Sequence, residues 1–191
     1  MKKFNFHIQS ALVQKTLARK YTHLFKPSLA ASLPKHPCKG ENMTAYAYAL
    51  AEMLIRRPVA EVFEAFVDPA ITTQFWFTHS TGRLDQHREV EWTWEMYQHS
   101  TEVKVMSITT HQRIEILWGT PHEHSHVVWT FTEHPLGTFV SITNDGLKGE
   151  GEDLMALVRD ATEGFALVLA GAKAWLEHNI ALGLVGDRYP K

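Results

Sequence analysis

The sequence has little of what marks a secreted or membrane-embedded protein. Its 191 residues include one cysteine, Cys38, so no disulfide can form within the chain and a reducing compartment is expected. No stretch approaches the ~20 consecutive apolar residues that cross a bilayer. The continuous apolar region of a secretory signal is also missing. We therefore expect a cytoplasmic protein without a membrane partner.

The short motifs of several enzyme classes are missing as well. The sequence contains no nucleophile elbow, no phosphate-binding loop and no dinucleotide-binding fingerprint. Its content of 45% hydrophobic and 21% charged residues is ordinary for a globular protein, and its length suits one domain. The sequence therefore predicts a single globular domain with no evident catalytic apparatus and no cofactor.

The formal net charge of −2 conceals an uneven distribution. Residues 1–42 hold eight Lys or Arg residues and one acid, whereas the remaining 149 residues hold eleven basic and twenty acidic residues. Nucleic-acid binding requires a basic surface that neutralises phosphates, and anionic lipids also attract basic surfaces. The main body has the opposite sign, so no nucleic-acid partner is expected.

The basic segment 1–42 is interrupted by prolines and is read as an extension of the domain. The residues Lys-Gly-Glu-Asn before Met43 can be encoded by a purine-rich ribosome-binding sequence. On this hypothesis the segment is translated upstream sequence and the native protein begins at Met43. A genuine disordered tail and an acid-poor transit peptide stay open as alternatives. The folded domain is predicted over 43–182, with a tail over 183–191.

Alternating apolar and polar residues predict a series of β-strands. In the clearest, residues 90–97, the aromatic Trp92 and Trp94 alternate with Glu91 and Thr93, which is typical of a strand with one buried face. Further strands are predicted at 46–56, 102–110, 113–119, 126–133 and 138–144. Because short polar connectors join the strands after residue 90, an antiparallel meander is the most economical topology.

A first helix is predicted directly after the first strand. It begins at Pro58, since proline is favoured in the first helical turn. It ends at Asp68, because the residue before Pro69 is disfavoured in a helix. Residues 70–77 then follow as a short aromatic turn, which we expect to close one end of the core.

A second, longer helix is predicted over 153–179, with Gly183 helping to end it and with Arg159 and Lys173 outside its apolar stripe. The stripe consists of Leu154, Leu157, Val158, Ala161, Phe165, Val168, Leu169, Ala172 and Leu176. A sheet with one apolar face and a helix with one apolar stripe combine most simply when the helix lies across the sheet. The predicted fold is therefore α+β, a helix-grip fold in which a curved antiparallel sheet packs on the C-terminal helix.

Several segments, in this order, resemble the SRPBCC (START-like, birch-pollen-allergen-like) superfamily. They are Arg57–Pro69 followed by Phe75-Trp76, then Trp92–Glu95, then Gly137–Leu147, and finally Glu163–Phe165 leading to Leu176–His178. Within the superfamily, the chain is most similar to the family related to the C-terminal domain of the activator of the 90-kDa heat-shock chaperone ATPase. The resemblance covers residues 46–180. Phe165 departs from it, since the family usually has tryptophan there, and the swap keeps an aromatic wall.

The resemblance implies an apolar cavity between sheet and helix, able to bind a small hydrophobic ligand. The candidate lining residues are Trp92, Trp94, Trp118, Trp129, Phe131, Phe165, Val168 and Leu169. Ligand pockets are mostly apolar and concave, with few polar groups. The alternative interpretation is that these side chains only fill the core.

Polar side chains are weaker candidates. His122, His124 and His126 alternate along the chain, but same-face side chains on a strand lie ~7 Å apart, too far to share one zinc ion without bending. They are read as an exposed hairpin loop, and no metal is expected. The acid–base types are His111, Arg113, Glu115 and Glu95. By the alternation of the strands, the last three fall on the solvent side.

Three functions compete. The leading hypothesis is a non-catalytic domain that binds a small hydrophobic ligand, and the second is a co-chaperone-like partner of a chaperone. The third is a cyclase-, aromatase- or hydratase-like enzyme of the same fold, which needs a polar group inside the cavity. The polar side chains available are Thr93, Tyr97, Ser107 and Thr109, and these point inward only if the strands face the other way.

Overall fold

The structure is a computed structural model that describes residues 47–120 and 124–189. The described residues belong to one compact unit that starts at Ala47. Three predictions fall outside the described residues: the extension over 1–42 with Cys38, the start at Met43, and the loop position of His122. Within the described part of the chain, no helix combines the length and the apolar character needed to span a bilayer.

Seven antiparallel strands form a single sheet. The strands are β1 (Ala49–Ile55), β2 (His79–Ser80), β3 (Glu89–Trp94), β4 (His99–Thr109), β5 (Arg113–Trp118), β6 (Ser125–His134) and β7 (Gly137–Asp145). Their order across the sheet is β1-β7-β6-β5-β4-β3-β2, so β3 to β7 form the predicted meander and β2, which was not predicted, extends it. The first strand, β1, closes the far side by pairing antiparallel with β7.

Four helices accompany the sheet: α1 (Val59–Val67), α2 (Pro69–Thr72), α3 (Gly151–His178) and α4 (Leu184–Asp187). Helix α1 starts after Pro58 and ends at Asp68, as predicted. The Asp68 side chain then caps α2 by accepting a hydrogen bond of 2.8 Å from the Ala70 amide. Helix α3 ends at His178, and the next residue, Asn179, has a left-handed φ of 56°. Asn179 therefore ends this helix, and the prediction for Gly183 is wrong.

The alternation predicted for 90–97 holds only as far as Trp94. Val90, Trp92 and Trp94 are buried on the inner face of β3. Residues 95–97 form a 3₁₀ turn instead of continuing the strand. Gln98 then adopts a left-handed φ of 50°, which reverses the chain so that β4 pairs back on β3. The strand therefore ends three residues earlier than predicted, because a tight turn follows it.

A β-bulge explains the imperfect alternation over 102–110. The register of β4 against β5 shifts between Val105 and Ser107. Val103 and Val105 pack on the core before the bulge and Ile108 does so after it, while Met106 is exposed. The odd spacing of the inward residues thus reflects an extra residue in the strand.

The apolar stripe of α3 faces the sheet, which confirms the helix-grip fold. Its buried members are Leu154, Phe165, Val168, Leu169 and Ala172, and its remaining members are half-buried. Arg159 is exposed, as expected for a residue outside the stripe. Lys173 is also outside the stripe, but its ammonium group donates a 2.7 Å hydrogen bond to the Leu54 carbonyl of β1. Lys173 therefore holds α3 against an edge of the sheet.

Arg188 and Tyr189, in the segment predicted as a tail, contact the N-terminal half of α3. Arg188 Nη2 is 2.9 Å from a carboxylate oxygen of Asp160 and 2.9 Å from one of Glu163. The Tyr189 hydroxyl donates to the same Asp160 carboxylate at 2.9 Å. The Tyr97 hydroxyl donates to the Val185 carbonyl, so α4 also contacts the turn after β3.

Candidate functional site

The eight predicted lining residues all lie on the surfaces of sheet and helix that face each other. Trp92 and Trp94 come from β3, Trp118 from β5, Trp129 and Phe131 from β6, and Phe165, Val168 and Leu169 from α3. Trp118 is half-buried and the others are buried. All eight belong to or pack against one hydrophobic core. The residues that strand alternation and helix periodicity assign to facing surfaces therefore lie in the same core.

Seven rings form a continuous set that we call the aromatic cluster: Trp76, Phe77, Trp92, Trp94, Trp118, Trp129 and Phe165. Neighbouring rings in the set have centroids 4.8 to 6.5 Å apart, as in Phe77–Trp92 and Trp92–Trp94. Such separations are those of aromatic rings in contact. Phe131 lies to one side, against Phe63 and Phe66 of α1. The rings therefore fill much of the space that a ligand would take.

Trp76, which the sequence analysis did not include in the site, is the centre of the aromatic cluster. Its ring lies 4.8 Å from that of Trp92, 6.1 Å from that of Trp118 and 6.1 Å from that of Phe165. Trp76 lies in the turn after α2, within residues 75–77. These three consecutive aromatic residues follow neither the period of a strand nor that of a helix. The predicted plug of the core is therefore also part of the candidate site.

A glycine on α3 lets the helix approach this aromatic turn. A Cβ on Gly171 would lie 3.0 Å from the Phe75 Cβ and 3.2 Å from the Phe75 carbonyl oxygen. Just before the turn, the Thr72 hydroxyl donates a 2.7 Å hydrogen bond to the Ala65 carbonyl of α1. The turn is thus held between α1 and α3, which directs Trp76 into the cluster.

Two indole N–H groups of the cluster differ in their hydrogen bonding. Trp118 Nε1 donates to the Ser125 hydroxyl at 2.9 Å. Trp129 Nε1 is buried and has no acceptor. Because an unpaired buried donor costs about 1–3 kcal/mol, Trp129 is an unusual feature of this interior.

His99 adjoins the cluster, with its ring centroid 6.0 Å from that of Trp94. Burial lowers the pKa of His99 below its ordinary value of 6.5. Unfolded His99 therefore binds a proton more readily than folded His99. Above about pH 6.5 His99 is neutral, and its contribution to the stability of the folded state is complete. That contribution is lost as the pH falls through the lower pKa of folded His99.

We accordingly expect the free energy of unfolding of a His99→Gln variant to fall less than that of the unmodified protein when the pH is lowered from about 7.5 to 5.5. The measurement is urea unfolding of both proteins at the two pH values. Equal losses in both proteins would show that protonation of His99 does not oppose folding.

The acid–base residues lie mainly on the outer face of the sheet, as the alternation predicts. Glu115 accepts hydrogen bonds from the Ser107 hydroxyl at 3.0 Å and from Arg113 at 3.2 Å. A hydrogen bond with His126, at 2.7 Å, is the largest cause of the lowered pKa of Glu115. Glu95 is exposed in the turn after β3. These groups face away from the aromatic cluster.

His111 occupies the turn between β4 and β5 with a left-handed φ of 62°. Its ring stands edge-on to that of Phe63, at a centroid distance of 5.6 Å.

The polar side chains that an enzyme could use do not converge in the cluster. Ser107 and Thr109 are exposed on β4. The Thr93 hydroxyl is 2.8 Å from that of Ser100 in an exposed pair. Tyr97 does pack against the core, and its hydroxyl is bound to the Val185 carbonyl. Tyr97 is therefore the one member of this set that approaches the interior.

The alternating histidines do not form the predicted exposed loop throughout. His126 lies within β6, with Nδ1 3.1 Å from an Asp145 carboxylate oxygen and Nε2 facing Glu115. The loop prediction is wrong for His126, because β6 begins at Ser125 to pair with Trp118. His124 is half-buried, and its Nε2 has no partner. Over residues 47–120 and 124–189, no three His, Cys, Asp or Glu side chains group as metal ligands do.

Chelation of metal ions is expected to leave the unfolding of the protein unchanged, because the two carboxylates beside His126 lie on opposite sides of its ring. The measurement is thermal unfolding with and without a chelator, together with the metal content after dialysis. Zinc retained at one ion per chain would contradict this expectation.

Comparison with known proteins identifies the family. The family model described as Activator of Hsp90 ATPase homolog 1-like protein matches residues 56–177, well over half of the chain. The chain belongs to this family. The resemblance inferred from the sequence is thereby confirmed. No curated protein matches the chain significantly.

Solved structures of this fold include a protein from Staphylococcus saprophyticus, 27% identical, with a TM-score of 0.62, over 71% of this chain and 95% of that one. The Aha1 dimer from Colwellia psychrerythraea is 14% identical, with a TM-score of 0.57, over 69% and 96%. DynU16, from the dynemicin biosynthetic locus, is 17% identical, with a TM-score of 0.62, and the match spans 71% of this chain and 49% of DynU16. These structures share the fold of this chain.

Proposed function

We propose that the protein binds one small, planar, mostly apolar molecule in the aromatic cluster. The proposal depends on one observation: seven aromatic rings lie together between the sheet and α3. A planar ligand can enter if these rings move apart, and its own faces then replace the ring–ring contacts that are lost. Trp118 is half-buried, so the cluster reaches the surface at the end of β5, and we place the entrance there.

The ligand we propose is electrically neutral. The buried polar side chains of the described residues are Thr72, Ser125, Thr138 and Asn144, and none of them carries a charge. Transfer of an unpaired charge into such surroundings costs far more than a small ligand can recover. Neutral aromatic compounds are therefore favoured over carboxylates, phosphates and ammonium ions.

Equilibrium binding of 1-aminoanthracene, a neutral planar fluorophore, tests this proposal. We expect saturable binding of one molecule per chain, with quenching of tryptophan emission. Phe139, on the outer face of β7, is 38% exposed and lies opposite Leu54 of β1. A Phe139→Ala variant should bind the probe unchanged. If this variant alone loses binding, the probe occupies the outer face and the proposal is wrong.

Phe165→Ala is expected to change the affinity for 1-aminoanthracene by about fivefold or more, the equivalent of roughly one aromatic contact. Its ring touches those of Trp76, Trp118 and Trp129, so its removal alters the wall that the probe meets. The free energy of unfolding should fall by about 3 kcal/mol, the low end for a buried Phe→Ala change.

Arg159→Ala is the matched control on the same helix, and it should alter the free energy of unfolding by no more than ~0.5 kcal/mol. If Phe165→Ala instead costs about 5 kcal/mol and leaves the probe affinity unchanged, the rings form a solid core. That result would reject the proposed site.

The family name supplies a second candidate, a partner of the Hsp90 chaperone. Its structural support is the exposed apolar surface at the β1 edge, which includes Tyr48 and Leu50. Stimulation of the chaperone's ATPase by the purified protein, lost in Leu50→Asp and retained in Phe165→Ala, would favour this candidate over ligand binding.

A further inference from the structure

The indole N–H of Trp129, a ring that contacts Trp76 and Phe165 of the aromatic cluster, is a hydrogen-bond donor without an acceptor. The side chain is 2% exposed, and its Nε1 atom has no partner. Trp129 lies at the centre of β6, opposite Ile114 of β5 and Ile142 of β7. Neither flanking side chain has a polar atom that could accept the proton, so the sheet itself leaves this donor unsatisfied.

The four buried polar residues of the described chain are paired. Thr72 and Thr138 donate to backbone carbonyls at 2.7 and 2.9 Å. Asn144 donates to the His126 carbonyl at 3.0 Å, and Ser125 accepts from Trp118 at 2.9 Å. Buried polar groups in folded proteins are generally satisfied, and each exception calls for an explanation. Trp129 is the exception within the aromatic cluster.

We propose that Trp129 Nε1 donates a hydrogen bond to a carbonyl-type oxygen of the bound ligand and so determines which planar molecules are accepted. This inference rests on the proposed function, since it assigns the chemistry of the ligand at the same site. A neutral oxygen suits the donor, because the buried interior offers no charged partner. The ligand class is thus a neutral, fused-ring aromatic ketone or a related carbonyl compound.

The positions of the surrounding rings orient this ligand. The ring of Trp129 lies 6.0 Å from that of Trp76 and 6.2 Å from that of Phe165, which it meets edge-on. The ligand's oxygen therefore points towards β6, between these rings. Its apolar end extends towards Trp92 and Trp118, whose rings are 6.3 Å apart.

The test uses 9-fluorenone and fluorene, two planar molecules of nearly equal size that differ by a carbonyl group in place of a methylene group. Their dissociation constants are measured by equilibrium dialysis with the full chain. We expect the unmodified protein to bind fluorenone about tenfold more tightly than fluorene, the gain typical of one buried hydrogen bond. In Trp129→Phe the ratio of the two constants should fall to about one.

The matched control is Trp92→Phe, which removes an indole of the same cluster but keeps the donor of Trp129. Both affinities can change in this variant, but their ratio should stay near tenfold. A second measurement is made on the unmodified protein. In the ¹H–¹⁵N correlation spectrum, the signal of the Trp129 indole proton should move downfield when fluorenone is added and should not do so when fluorene is added.

The outcomes separate the inference from the function on which it rests. If both compounds bind with equal affinity, the N–H of Trp129 is satisfied by a neighbouring ring face and the inference is overturned, while the proposed function stands. If neither compound binds, the proposed function fails and the inference fails with it. A ratio that falls equally in Trp129→Phe and Trp92→Phe also overturns the role of the donor.

Discussion

Replacement of Trp76 by alanine is expected to lower the free energy of unfolding by about 4 kcal/mol, within the range for a buried large aromatic residue. The Trp76 side chain is 6% exposed, and its ring contacts those of Trp92, Trp129 and Phe165 among others. These partners come from β3, β6 and α3. Removal of the ring therefore leaves a cavity at the point where sheet, helix and aromatic turn meet.

Urea unfolding of Trp76→Ala measures this loss, and Tyr48→Ala is the control. Tyr48 is 52% exposed, so its removal should change the free energy of unfolding by no more than ~0.5 kcal/mol. A loss below about 1 kcal/mol for Trp76→Ala would contradict its central position. The same variant should bind larger planar probes than the unmodified protein, because the space vacated by the indole adjoins the proposed site.

Gly137→Ala is expected to lower the free energy of unfolding by about 3 kcal/mol. The steric overlap of the added Cβ and the strain of the backbone both destabilise the folded state at this position. Gly137 begins β7 with a φ of 143°, a conformation that L side chains rarely adopt. A Cβ there would lie 2.2 Å from the Ile55 carbonyl oxygen and 2.7 Å from the Arg56 Cα. Both are backbone atoms at the end of β1 and the residue after it, so neither can rotate away.

Gly186→Ala provides the comparison for this prediction. A Cβ on Gly186 would meet only the Met96 Cε at 3.7 Å, which is an ordinary contact. Because Gly186 is in α4, alanine there should be neutral or stabilising by up to ~1 kcal/mol. Thermal or urea unfolding of both variants measures the difference. Equal small effects would mean that β1 and β7 do not approach each other as closely as described.

The elements that could be predicted are those whose periodicity reflects burial. Trp92, Trp94, Trp118 and Trp129 share the inner face of the sheet because alternate residues of a strand point to opposite sides. The stripe of α3 was predictable for the same reason, with the period of a helix. Burial on one face is a property of each segment by itself, so it can be read without knowledge of the partner segment.

The features that could not be predicted depend on contacts between segments. Trp76 reaches the centre of the cluster from a turn, whose residues follow no period. Lys173 lies outside the stripe, and its hydrogen bond to Leu54 requires the position of β1 relative to α3. The bulge after Val105 shifts the inward residues by one, a change that appears in the sequence only as weak alternation.

The predicted lining residues are buried on facing surfaces, but Trp76 and the packing of the rings were not predicted. Seven of the eight residues proposed from the sequence are buried, and the eighth, Trp118, is half-buried. How closely the rings approach one another depends on side-chain rotamers, and on Trp76. The unpaired donor of Trp129 depends on the residues opposite it in β5 and β7. Such features require the register of the sheet, which alternation alone does not determine.

The most direct test of the ligand-binding account is a ¹⁵N NMR titration of the six tryptophan indole groups with 1-aminoanthracene. Five of them belong to the aromatic cluster. The sixth, Trp175, lies about 15 Å along α3 from Phe165 and serves as an internal reference. Single Trp→Phe variants assign each signal. The account predicts that the five cluster signals shift with one common dissociation constant while that of Trp175 stays in place. Probe binding that leaves the five cluster signals unmoved would contradict it.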